Sequence, residues 1–321
     1  MMSRHNASVR VYVALTDGEW YRHLAGSGAS EANFWQPSGG RRFRALRIGE
    51  PFLFKTHYPD NKIVGGGFFS GSVAMKVSEA WEYFGEGNGC ASLDGMRRRI
   101  KKYRRDRESQ SDPEIGCVLL RDVIFFPASL AARAPDDFAK NIVQGKTYDT
   151  AAGGSGSYIE EILTRLIAVA SVAGQIDLSW ATSKADIEMH GLPRLVRPRL
   201  GQQSFRVMVL NAYSRRCAVT GEKIRPVLEA AHIRPVEHAG EHRLDNGLLL
   251  RSDVHTLFDR GYLGIDSKYR LMVSPLLREQ FDNGEEFYVK KGREVSVPAR
   301  KLDRPNNEFL EWHADTVFLA S

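Results

Sequence analysis

The sequence predicts an α+β chain of two domains: an N-terminal β-barrel with helices, a helical linker, and a C-terminal strand–loop–strand–helix module. Three observations predict this. The chain has 321 residues, too many for one ordinary domain and suited to two. Four β-rich stretches with glycine-led turns fall within its first 130 residues. After a glycine–serine stretch the apolar spacing becomes helical, and two short apolar runs then lead into one more helix.

Composition narrows the function classes. Hydrophobic residues make up 42% and charged residues 26%, so both domains can bury a core, which excludes a disordered or fibrous chain. No apolar run approaches the roughly 20 residues of a membrane helix. The opening MMSRHNASVR lacks the apolar core of a secretion signal, so the expected location is the cytoplasm, with no membrane partner. Cys90, Cys117 and Cys217 are odd in number and far apart, and no Cys-x-x-Cys pair occurs. Neither a disulfide framework nor a structural zinc is therefore expected. Lys+Arg number 45 against 39 Asp+Glu, a net charge of +6 that suits an anionic partner.

Each element follows from its residues. VRVYVAL (9–15) alternates and is β-rich. LRIGEPFLFKTH (46–57) places a turn at Gly49-Glu50-Pro51 before an apolar strand. KIVGGGFFSGSVAMKV (62–77) is a strand whose glycines imply a bulge or a close approach to the backbone. IGCVLLRDVIFFP (115–127) is the fourth. Before it lies RRRIKKYRRDR (97–107), with eight basic residues in eleven. Such crowding is costly without an anion, so a phosphate-backbone contact is the preferred reading over a solvated helix face. AAGGSGS (151–157) is the linker candidate. A helix is expected over 158–173, a basic connector over 191–200, and an amphipathic helix over 204–216 behind a Ser204 cap.

The chemistry concentrates in 217–266. VLEAAHI is an apolar run with His232 near its end. A polar loop follows, and NGLLL starts a second strand at Asn246. RSDVHTLFDRG is a helix beginning near Ser252 or Asp253 and ending at Gly261. His255 and Asp259 are four apart, on one helix face, where an imidazole and a carboxylate can bind a divalent cation.

These residues resemble the HNH nucleases and their ββα-metal fold. His232, Asn246 and His255 stand for the three letters, with steps of 14 and 9 residues. The lead-in from Arg199 to Gly221 resembles that of HNH modules in bacterial restriction-type proteins. The resemblance implies His232 as general base, His255 as metal ligand with Asp259 beside it, and Asn246 as a brace for the loop carrying His232. Arg251 would steady a phosphate or pair with a nearby acid. It implies a divalent metal, Mg or Mn, with Co or Ni tolerated. Two departures stand out. Many such domains have Asp or His before the catalytic histidine, where this chain has Ala231; Glu229 is the nearest substitute, or the metal uses more water. Where some are stapled by paired cysteines, this chain has Cys217-Ala-Val-Thr220, and Cys217 is expected to be a buried apolar residue. His238 and His242 are expected to be solvated, with a phosphate contact as the alternative.

The N-terminal text NFWQPSGGRRFRALRIGEPFLFKT…KIVGGGFFSG resembles the PUA superfamily, EVE-type domains in particular, whose relatives read modified bases. A flipped base needs aromatic faces. Trp35, in an expected loop, and Phe34, Tyr58, Trp81 and Tyr83 are the candidates. Arg41, Arg42 and Arg44 join Arg97, Arg98, Arg99, Lys101, Lys102, Arg104 and Arg105 as candidate backbone contacts. The expected domains are a reader over 1–150, a linker and helix over 151–198, the nuclease over 199–285, and an extension over 286–321 that covers the nuclease or aids dimerisation. Together these imply a bacterial restriction endonuclease that acts on double-stranded DNA with 5-methyl- or 5-hydroxymethylcytosine, as a homodimer. The alternatives are a nuclease directed by plain sequence or RNA, and a DNA-binding protein with a degenerate nuclease fold.

Overall fold

The computed structural model describes residues 8–39, 43–104, 111–172 and 201–320. Arg41, Arg42, Arg105 and the connector over 191–200 lie outside the described residues. The chain divides into two compact units, Met1–Ser204 and Phe205–Ser321. Among the described residues no helix is long and apolar enough to cross a membrane.

The first unit is built on one mixed sheet of seven strands. Its elements are β1 (Arg10–Thr16), α1 (Gly18–Ser27), β2 (Glu31–Gln36), β3 (Pro51–Thr56), β4 (Lys62–Lys76), α2 (Val77–Phe84), α3 (Leu93–Tyr103), β5 (Glu114–Phe125), β6 (Ala132–Arg133), β7 (Gly145–Asp149) and α4 (Ser155–Val172). The strand order is β2-β5-β4-β3-β1-β7, with β6 on β4. β1 and β3 run parallel. The two-residue alternation of a strand sorts the core into two layers. Val11, Val13 and Leu53 face one layer, which α4 covers with Ile159, Ile162, Leu163 and Leu166. Ala14, Phe52 and Phe54 face the other, with Trp20 and Leu24 of α1. The helix expected to follow a linker is thus a core element, because its apolar residues recur at three- and four-residue spacing and need a sheet to cover.

One local expectation is corrected, and the bulge expected at the β4 glycines is present. Trp35 lies in β2 rather than a loop, paired opposite Cys117 of β5. The glycines of β4 serve the sheet itself. A Cβ on Gly65, at φ 154°, would stand 2.2 Å from the Ile124 carbonyl oxygen. The register slips between Gly66 and Phe68 at the same place. The glycine run therefore permits bulges and close packing against β5.

The basic run lies mostly on α3, capped by the Ser92 hydroxyl on the Gly95 amide. Met96 and Ile100 are buried, and Arg99 turns inward to form an ion pair with Asp17. Arg99 also donates to the Gly89 carbonyl at 2.8 Å. Arg97 pairs with Asp94, and Arg104 donates to the carbonyls of Pro37 and Glu114. Arg99 is therefore a tether for α3 and not a phosphate contact. Arg98, Lys101 and Lys102 remain exposed and share one face at i, i+3 and i+4. Replacing these three by glutamine is expected to weaken DNA binding across all sequences. The slope of log affinity against log salt should flatten by about 2 to 3 if they neutralise phosphates. An unchanged slope in a filter-binding titration would make the ridge a solvated face.

The second unit starts within α5 (Gln202–Ala212), continues with β8 (Leu228–His232), β9 (Gly247–Arg251) and α6 (Ser252–Asp259), and ends with β10 (Leu263–Ile265), β11 (Leu271–Val273), α7 (Leu276–Phe281), α8 (Glu285–Tyr288) and α9 (Asn307–Thr316). β8 and β9 form an antiparallel hairpin with His232 opposite Gly247. α6 follows β9 without a loop. The C-terminal segment covers this helix: the His313 ring stacks on Phe258 with centroids 3.8 Å apart, and its Nε2 lies 3.0 Å from the Phe258 carbonyl oxygen.

Burial pushes the His313 imidazole down to about 4 from 6.5. The unfolded chain then binds the proton more readily between those values, so this contribution to stability is complete above pH 6.5 and is lost as pH falls towards 4. It amounts to about 3 kcal/mol at most. A His313→Phe variant should show a shallower fall in melting temperature across that window. An unchanged slope would contradict this.

Candidate active site

Hairpin and helix converge around two histidines. His232 ends β8 and is half-buried, with its ring parallel to Phe205 of α5 at 4.1 Å and 8°. Gly247, directly across the hairpin, makes this contact possible. A Cβ there would meet Val209 Cγ2 at 2.6 Å and Phe205 Cε2 at 3.0 Å. The His232 Nε2 lies 3.0 Å from His242 Nδ1, in the loop between the strands. The His232 imidazole is held down at about 4, first by burial, then by the neighbouring His242 and His255, with Glu237 opposing. It is therefore neutral at neutral pH, the state a general base requires.

Asn246 is fully buried and holds the loop by its backbone. Its Oδ1 accepts from the Arg234 amide at 2.9 Å, and its Nδ2 donates to the carbonyls of Arg234 at 2.9 Å and Glu241 at 3.0 Å. Its side chain is engaged inside the protein, in hydrogen bonds to the loop backbone. The same loop leans on α9, where the Arg234 guanidinium lies over the Trp312 ring at 5.4 Å and the His238 ring lies 5.5 Å from it.

His255, on the exposed side of α6, sits between two carboxylates. Its Nδ1 is 2.6 Å from Glu229 Oε2 of β8, and its Nε2 is 3.3 Å from Asp259 Oδ2 one helical turn on. The three side chains considered as metal ligands thus meet at one place. Burial, together with the nearby Glu229, raises the Asp259 carboxyl, against the effect of His255. One imidazole nitrogen and two carboxylates form the N,O donor set that hard and borderline divalent cations accept. Among the described residues no group of three or more His, Cys, Asp or Glu is pre-arranged around a metal position. The donor types fit such an ion; the carboxylates here close onto the imidazole itself.

Arg251 pairs with acids: its guanidinium bonds Asp253 at 2.6 and 2.7 Å and Glu286 at 3.2 Å. Asp253 is held below the usual carboxylate range by that partner first. It is an ion-pair partner, and the helix is entered without a side-chain cap. The Cys217 thiol is buried and accepts from the amides of Thr220 and Arg251 at 3.4 and 3.3 Å.

In the first unit the aromatic candidates do not form one pocket. Phe34 packs in the core against Trp20 and Phe52 at 5.4 and 5.1 Å. Trp81 and Tyr83, both on α2, are two residues apart and point to different sides of the helix. Tyr58 is 75% exposed, beside Lys140, just ahead of the start of β4 at Lys62. Trp35 is level with Val73, towards the far end of β4. Trp35 remains the best-placed ring. Its indole donates to the Asn88 carbonyl at 3.0 Å, with Tyr103 at 6.4 Å and the Arg99 guanidinium at 5.8 Å. Arg44 is exposed.

Sequence reasoning missed two residues. His242 was expected to be solvated and instead contacts His232. Phe205 carried no signal, since an aromatic on an amphipathic helix reads as core; its approach to Gly247, where a Cβ would stand 3.0 Å from its ring, marks the stacking site.

The family model for HNH endonucleases matches residues 217–266. A comparison with curated proteins gives no match. Solved structures similar to this chain include an ASCH protein from Zymomonas mobilis at 15% identity, covering 35% of this chain and 67% of that one, with a TM-score of 0.25. A mutant form of that protein gives 14%, 36%, 76% and 0.26 for the same quantities. A modification-dependent restriction endonuclease, TagI, is similar at 12% identity over 90% of this chain and 76% of that one, with a TM-score of 0.29. The stretch from Cys217 to Asp266, with a strand, a braced loop, a strand and a helix that bring His232, Asn246 and His255 into one module, is similar to the HNH endonucleases.

Proposed function

We propose that this chain is a modification-dependent DNA endonuclease: the first unit binds duplex DNA and reads a flipped 5-methyl- or 5-hydroxymethylcytosine, and the second hydrolyses a phosphodiester bond nearby. The observation that carries the hydrolytic half is the placement of the His232 imidazole, stacked on Phe205, in the same hairpin-and-helix module as the Glu229–His255–Asp259 group. His232 takes the proton of the attacking water. Phe205 fixes the plane of its ring, and Asn246 fixes the loop behind it. His255, Asp259 and Glu229 would hold a divalent cation, Mg or Mn with Co or Ni as alternatives. When bound, that ion supplies Lewis acidity at the scissile phosphate and stabilises the leaving 3′ oxygen.

The reader half rests on the resemblance of the N-terminal text to EVE-type domains, on the exposed basic face of α3 and on the cluster that Trp35 of β2 forms with Tyr103 and Arg99 of that helix. Sequence selection needs such an element, because phosphate contacts position a protein on DNA without reading bases. One site cuts one strand, so cutting both calls for a homodimer. A second reading, a DNA-binding protein with a degenerate nuclease fold, draws on Ala231 in the place of a ligand and on the closed contacts of His255. Supercoiled plasmid carrying modified cytosine decides between them. The nuclease reading predicts relaxed and then linear DNA with Mn or Mg and none with chelator; intact plasmid under every metal would favour the second.

A further inference from the structure

We propose that His242 is a positioning residue for the base: it fixes the in-plane direction and the tautomer of His232. The inference rests on the nuclease reading above and deepens it, since His242 belongs to none of the three positions that define the HNH pattern.

A general base must present one particular ring nitrogen to the water. An imidazole on a strand end can rotate about two side-chain bonds and exchange its proton between two nitrogens. Three contacts remove these freedoms here. The parallel stack on Phe205, at 4.1 Å and 8°, fixes the plane of the His232 ring. Within that plane, the 3.0 Å contact between His232 Nε2 and His242 Nδ1 fixes its direction. A hydrogen bond between these two nitrogens needs one N–H, so the protonation of one dictates that of the other; for His232 to accept a proton at Nδ1, its Nε2 must carry the N–H that His242 Nδ1 accepts. The His242 ring is itself held near Phe205, with centroids 5.8 Å apart.

The loop geometry explains how His242 reaches His232. Asn246 ties the loop by the Arg234 and Glu241 backbones, and Glu241 immediately precedes His242. The brace therefore delivers His242 to His232 directly. The groups that act electrostatically on His232 are His242 itself, His255 of α6 and Glu237 of the same loop. Of these, His242 has the ring-nitrogen contact.

The test compares His242→Ala and His242→Asn with the wild-type full chain; asparagine offers a polar atom near the position of Nδ1. The first readout is single-turnover nicking of plasmid. His242→Ala should lower the rate about 10- to 100-fold with DNA affinity within about twofold, and His242→Asn should recover most of it. The second readout needs no substrate: nitrogen-15 shifts of the histidine rings in the full chain. Wild type should show His232 as a single neutral tautomer near pH 7, and His242→Ala should show a mixture.

Wild-type rates in both variants would overturn the proposal. So would weakened DNA binding at an unchanged rate, which would make His242 a phosphate contact. A tautomer mixture at His232 in the wild type would overturn it whatever the nicking results. His232→Ala is run alongside: intact plasmid with the wild-type chain under every metal sinks the nuclease reading, nicking that survives in His232→Ala removes His232 as the base and this inference with it, and nicking lost in His232→Ala but retained in both His242 variants sinks only this inference.

Discussion

His232→Ala is expected to abolish strand cleavage while leaving the protein folded and bound to DNA. A positioned general base contributes a factor of about 10² to 10⁴, so the rate of relaxed-circle formation should fall by at least two orders of magnitude. The stability cost is expected to be small, about 1 kcal/mol, from the lost stack on Phe205. Because the His232 side chain is neutral in the fold down to about pH 4, the wild-type rate should not lose its base on mild acidification. Nicking rate, thermal unfolding and gel-shift affinity, measured on one preparation, separate the effects. A variant that nicks within threefold of wild type would remove His232 from the chemistry.

Asn246→Ala should have the larger effect on stability. The side chain is fully buried and makes three hydrogen bonds to the backbone of the loop at 2.9, 2.9 and 3.0 Å. Truncation leaves a buried amide and two carbonyls without their partner, at a cost of about 2 to 4 kcal/mol. The urea midpoint should fall with an unchanged slope, and cleavage should fall with it, since the same loop sets the rings behind the base. Asn246→Asp should be as damaging, because a carboxylate would face two carbonyl oxygens. A loss below about 0.5 kcal/mol in the alanine variant would mean that the loop is held by other contacts.

What was legible in the sequence was what is local. β8, β9 and α6 follow one another with a single loop between them, so the apolar runs and the placement of His232, Asn246 and His255 specify the module within fifty residues. The strands β1, β3, β4 and β5 were legible for the same reason. β2 was hidden because EANFWQ lies among glycines, serines and a proline, and pairing with β5 makes it a strand. The contacts that were not legible join distant positions. Arg99 reaches Asp17 from a run that reads as uniformly basic, and no pattern inside that run marks one arginine as inward. Phe205 reaches His232 from another element, through a gap opened by Gly247. The aromatic candidates failed as one pocket for a related reason. Phe34 and Trp35 are neighbours in sequence and both half-buried, but Phe34 packs on Trp20 and Phe52 whereas Trp35 meets Tyr103 and Arg99, and Tyr58 belongs to the opposite end of β4.

Digestion of matched duplexes that differ only in carrying cytosine, 5-methylcytosine or 5-hydroxymethylcytosine tests the account most directly. With Mn or Mg, wild-type protein is expected to cut one or both modified duplexes and leave the cytosine duplex intact, and His232→Ala is expected to bind the same modified duplexes uncut. Equal cleavage of all three would contradict the reader, and no cleavage of any under any of the four metals would contradict the nuclease.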